Sequence, residues 1–103
     1  MIKKKIAETI KEAYSKCNEE GVFSYEIDFD PIIEIPREGD FGDYSTNIAF
    51  LLAPKLKKNP LEIANIIIGH MQYDNIFERV EPAGKGFINF YIRDEVWKQT
   101  LLD

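Results

Sequence analysis

The stretch Val80–Ile92, VEPAGKGFINFYI, constrains this chain most. Two β-compatible runs, 76–82 and 86–92, flank the glycine-bearing turn AGKG, which predicts an antiparallel hairpin. Strand alternation then divides the second run into two faces. Ile88, Phe90 and Ile92 point to a core, while Phe87, Asn89 and Tyr91 point away from it. An amide set between two aromatic rings on the far face is the first candidate site.

The rest of the sequence supplies helices to cover the near face. Residues 2–19 place Ile2, Ile6, Ile10, Ala13, Tyr14 and Cys17 on one stripe, with lysines and glutamates opposite. Gly21 is a plausible stop. Residues 22–36 are strand-like, with Pro31 and Pro36 bracketing one short strand. The loop REGDFGD at 37–43 is a turn signal. Helical spacing returns over 44–58 through Tyr44, Ile48, Leu51, Leu52 and Leu56, with Asp43 or Ser45 as cap and Pro54 expected to kink or split the helix. NPLE then reads as a helix start, with Asn59 at the N-cap, Pro60 next and Glu62 in a capping box. That helix is expected to bury Leu61, Ala64, Ile67, Ile68 and Met71, with His70 as a surface or capping residue at its end. Asp94 is expected at the N-cap of a last helix carrying Val96, Trp97 and Leu101, whose early end suggests a fragment of a longer protein. This order predicts a two-layer α+β domain, an antiparallel sheet packed on helices.

Composition excludes several function classes. One cysteine, Cys17, and one histidine, His70, leave no disulfide framework and no Cys-rich metal site. No apolar run approaches the roughly 20 residues of a membrane span, and MIKKKIAETI lacks the apolar region of a signal peptide. A cytoplasmic protein is expected. The net charge of −5 argues against a general nucleic-acid binder. The acid is unevenly spread, however: residues 1–50 hold six basic and eleven acidic residues, and residues 51–103 hold seven of each. An anionic partner would therefore be met locally, by the second half.

No P-loop, dinucleotide fingerprint, HExxH or paired-cysteine motif is present. Turn and cap chemistry accounts for the carboxylates of GDFGD, although Mg²⁺ sites also use such groups. The Phe87, Asn89, Tyr91 face suits unpaired RNA bases, which stack on aromatic rings and bond through their edges. Lys85, Arg93 and Arg79 are placed to meet phosphates beside it. The alternative is that a helix or a neighbouring domain covers these rings.

Three motifs in order, FGDYSTN (Phe41–Asn47), NPLEIA (Asn59–Ala64) and VEPAGKGFINFYI, resemble the N-terminal additional domain of arginyl-tRNA synthetase over essentially the whole chain. The family's usual Gly-Pro-Gly reads Gly84-Lys85-Gly86 here. The resemblance implies an α+β fold similar in type to ribosome recycling factor. It implies contact with the D-loop at the outer corner of tRNA, and assigns Phe87 and Asn89 to it; Tyr91 is added from strand alternation. The implied partners are arginine-accepting tRNA and the catalytic domain of the same chain, with neither DNA nor a membrane. The parent enzyme would use ATP with Mg²⁺ to join arginine to tRNA. These residues lack its signature motifs and are expected to hold no cofactor, metal ligand or catalytic group. A structural brace between domains, or a free-standing paralogue, are the other readings.

Overall fold

The computed structural model describes residues 2–26, 28–37, 42–72 and 75–96. Helix α1 (Ile2–Glu19) has the expected span, and its stripe Ile6, Ile10, Ala13, Tyr14 and Cys17 is buried. Of the strand-like stretch 22–36, only β1 (Ile33–Glu34) pairs as a strand among the described residues. The flanking prolines cannot donate to a ladder, which limits its length. The rest of the stretch is held to α1 by side chains instead. Tyr14 stacks on Phe23 at 5.5 Å, meets Phe29 edge-on at 5.1 Å, and donates its hydroxyl to the Tyr25 carbonyl.

Residues 44–46, expected as the start of a helix, form strand β2 (Tyr44–Thr46). The helical spacing of Tyr44 and Ile48 is coincidental. Tyr44 and Thr46 alternate with Ser45 and pair across to the strand at 87–92. Helix α2 (Ile48–Leu56) follows, with Asn47 at its N-cap position and no side-chain cap bond. Neither Asp43 nor Ser45 is the cap. Pro54 neither splits the helix nor ends it on the spot. It sits in the final turn, where the bond that proline forfeits is one of the last in the helix. The helix closes at Lys57, which is left-handed (φ 55°) and donates its backbone N–H to Ala53 O at 2.8 Å. A non-glycine residue in that conformation costs about 1–2 kcal/mol.

Helix α3 (Pro60–Gly69) starts as its sequence dictates: Asn59 is extended and its Oδ1 accepts from Leu61 N at 2.8 Å. Ile63, Ala64 and Ile67 face the core, with Met71 buried just beyond; Leu61, expected inside, is exposed, and Ile68 is half-buried. His70 caps the far end as expected, with Nδ1 2.8 Å from Ile66 O and Nε2 3.4 Å from Glu20 Oε1, linking the ends of α3 and α1.

The hairpin is β3 (Phe77–Ala83) and β4 (Phe87–Ile92), paired antiparallel from Ala83↔Phe87 to Phe77↔Ile92. The four-stranded sheet runs β1-β2-β4-β3, and every neighbouring pair is antiparallel. Tyr44, Thr46, Val80, Ile88, Phe90 and Ile92 line its inner face and pack with the helices in one core. Thr46 is buried there with its hydroxyl satisfied by Ile32 O at 2.9 Å. A helical turn begins at Asp94, with Val96 N donating to Arg93 O at 3.0 Å, so Asp94 lies inside the turn and not at its cap. Trp97 and Leu101 lie outside the described residues, as does Phe41.

Candidate functional site

Strand β4 sits between β2 and β3, so its backbone is fixed from both sides. The two faces are as expected: Ile88, Phe90 and Ile92 are buried inward, and Phe87, Asn89 and Tyr91 lie on the outer face. Their exposures differ. Phe87 is 45% exposed, Tyr91 is half-buried, and Asn89 is only 4% exposed. The expectation of an open amide at Asn89 is therefore corrected. Neighbouring strands crowd it from both sides, with Ser45 of β2 and Glu81 of β3 as its pairing partners. Ser45 Oγ donates to Asn89 Oδ1 at 3.0 Å, which satisfies the carbonyl and fixes the side chain.

The register builds a polar row across the sheet, Glu34–Ser45–Asn89–Glu81. On one side of this row, Arg79 pairs with Tyr91 and lays its guanidinium 4.0 Å from the centre of the Tyr91 ring. On the other, the Phe87 ring meets Phe50 of α2 edge-on at 4.9 Å, so one part of it is braced and the remainder is open. A cavity of about 380 Å³ opens here, lined by Glu34, Pro36, Ser45, Ala83, Phe87 and Asn89. Its surface is mainly apolar, with the Ser45–Asn89 pair as its central polar feature.

Two glycines set the approach of other segments to β4. Gly42 (φ 87°) crosses close to the strand, where an added Cβ would lie 2.9 Å from Phe90 O and 3.4 Å from the Tyr91 ring. Asp43, next to it, donates its N–H to Phe90 O at 2.9 Å and accepts Ile92 N–H on Oδ2 at 2.7 Å. At the hairpin tip, a Cβ on Gly86 would lie 2.6 Å from Pro60 Cβ, so the turn seats directly on the start of α3. All three sequence motifs thus meet at β4.

Lys85 is exposed at that tip. Arg93 is exposed beyond the strand, its Nε donating to Phe77 O at 3.3 Å. Both lie at opposite ends of β4 from each other, and neither lines the cavity. Ser45, Phe50 and Glu34 belong to the site but were not among the sequence candidates. The Tyr44-Ser45-Thr46 alternation was the available signal for Ser45. Among the described residues, no group of three or more His, Cys, Asp or Glu side chains is placed to hold a metal ion, and no helix is long and apolar enough to cross a membrane.

The fold is shared with solved arginyl-tRNA synthetases. The Plasmodium falciparum enzyme superposes with TM-score 0.78 at 25% identity, over 97% of this chain and 17% of that one. The Thermus thermophilus enzyme gives 0.81 at 24% identity, over 100% and 16%. In sequence, the arginine–tRNA ligase of Acetivibrio thermocellus is 44% identical over 102 residues, 98% of this chain and 18% of the relative. That of Thermotoga maritima is 43% identical over 95 residues, 92% and 15%. The chain thus spans under a fifth of the length of the curated relatives it matches. The family model described as the arginyl tRNA synthetase N terminal domain matches residues 1–92, and the chain belongs to that family.

Proposed function

We propose that this domain is the tRNA-recognition module of an arginyl-tRNA synthetase, and that it meets the D-loop at the outer corner of tRNA through the outer face of β4. The observation that carries this reading is the half-exposed Phe87 ring, braced by Phe50, at the edge of a cavity holding the Ser45–Asn89 pair. A flat base stacks on the open part of the ring and brings its edge to the amide. Tyr91 is held beside it under Arg79, and Lys85 and Arg93 stand at the two ends of the strand for phosphates. The same chain's catalytic domain is the second partner. The parent enzyme uses ATP with Mg²⁺ to join arginine to this tRNA, and we attribute none of that chemistry to the strands and helices above.

Binding of an arginine-accepting tRNA transcript tests the reading. Phe87→Ala removes one stacking surface, worth about 1–3 kcal/mol, so affinity should fall roughly five- to 150-fold. Unchanged affinity in both Phe87→Ala and Asn89→Ala would remove the interface. The near-complete burial of Asn89 favours a second reading for that residue alone, a brace between β2 and β4. In that case Asn89→Ala lowers stability and leaves tRNA affinity intact, while Phe87→Ala still weakens binding.

A further inference from the structure

The strongest feature outside the β4 face is a second groove, of about 360 Å³, where the end of α2 faces the chain after α1. Lys55, Lys57 and Lys58 line it, opposite Val22 and Tyr25. No acidic side chain lines it among the described residues, although the chain carries a net charge of −5. Tyr25 is 51% exposed and Val22 37%. Lys58 has a long contact with Glu62 at 3.8 Å; neither Lys55 nor Lys57 has an ion-pair partner among the described residues.

Two further observations mark this as a built surface. Lys57 occupies a left-handed position (φ 55°) at the helix end, where glycine or asparagine is the residue of least cost. Strain kept at one lysine points to a use for that side chain. Lys58 also lies near the hairpin tip. Gly86 presses on Pro60, so Lys85 at the hairpin tip stands only a few residues' span, on the order of 15 Å, from Lys58.

We propose that this groove is a second RNA contact, in which Lys55 and Lys57 grip the phosphodiester backbone of the tRNA whose base stacks on Phe87. This rests on the tRNA reading above and adds a separate, sequence-independent point of attachment. Phosphate contacts position a nucleic acid while base contacts specify it. Tyr25 offers an aromatic face beside the phosphates.

The test is a salt series of tRNA-transcript binding with wild type, Lys55→Gln/Lys57→Gly and Phe87→Ala. Glycine suits the left-handed position, so the double variant keeps its fold. Losing two phosphate contacts should flatten the slope of log affinity against log salt by about 1.4–1.8 and weaken binding at 0.1 M salt by about tenfold or more. Phe87→Ala should weaken binding with the slope unchanged. If the lysine variant keeps wild-type affinity and slope while Phe87→Ala is weakened, the groove inference is overturned and the β4 reading stands. If neither variant changes binding, both are overturned. Poly-glutamate binding that is lost in the lysine variant, with tRNA binding unaffected, would assign the groove to an acidic polypeptide and likewise overturn the RNA contact.

Discussion

The Asp43 carboxylate accepts the backbone N–H of Ile92 at 2.7 Å, just past the point where the β2–β4 ladder ends at Tyr44↔Phe90. Asp43 thereby supplies, from a side chain, the acceptor that a longer β2 would have supplied from its backbone. This accounts physically for the Gly-Asp of FGDY. Gly42 lets the chain come within contact of β4, and Asp43 fastens it there. Removing the carboxylate leaves Ile92 N–H without its acceptor, and bonds to charged groups contribute about 1.5–3 kcal/mol. Asp43→Ala should lower unfolding free energy by about 2 kcal/mol in urea denaturation, with Asp43→Asn recovering part of it.

Gly86 is buried at the hairpin tip, and Gly86→Ala should be among the most damaging single substitutions. The new methyl would sit 2.6 Å from Pro60 Cβ and 3.1 Å from Pro60 C, and neither atom can swing aside. Overpacking of this kind costs about 1–3 kcal/mol. A drop in melting temperature, with hairpin amide resonances shifted on NMR spectra, is the expected outcome; an unaltered melt would show that the turn does not seat on α3.

How far the sequence could reveal this architecture depended on the range of the interactions. The α3 start was legible because Asn59, Pro60 and Leu61 act within three residues. The hairpin was legible because only three residues, Gly84-Lys85-Gly86, join its strands. Strand β2 was not, since three residues acquire strand character only through pairing on both sides, with Ile33 and Glu34 of β1 and with Ile88, Asn89 and Phe90 of β4 more than forty positions away. The same distance hid the burial of Asn89, which depends on Ser45 and on the approach of Gly42. Alternation told which way Asn89 points; it could not tell what would stand over it.

Ser45→Ala is the substitution that separates orientation from contact. It removes the donor that fixes Asn89 Oδ1, a bond worth about 1 kcal/mol to the fold. With the amide no longer held, tRNA affinity should fall several-fold while Phe87 stacking persists. Equal affinity for wild type and Ser45→Ala in a tRNA filter-binding assay would show that the orientation of Asn89 has no part in recognition.

Alkaline pH should weaken the fold. Burial pushes the Cys17 thiol from its ordinary 9.0 up to about 11, and burial also raises the Tyr14 and Tyr44 phenols. Above pH 9 the unfolded chain therefore holds fewer protons than the folded one. Stability is full below that pH and falls as pH rises through the folded-state value near 11. Urea midpoints between pH 8 and 11 should decline, less steeply in Cys17→Ala, and iodoacetamide should leave the folded thiol unmodified near neutral pH.

The most direct measurement is an NMR titration of the ¹⁵N-labelled protein with an arginine-accepting tRNA transcript at low salt. The amides of residues 84–93 should shift together with Ser45 and Phe50, and added salt should reverse the shifts. Amides of β4 that stay in place while the rest of the spectrum reports binding would contradict the assignment of this face to tRNA.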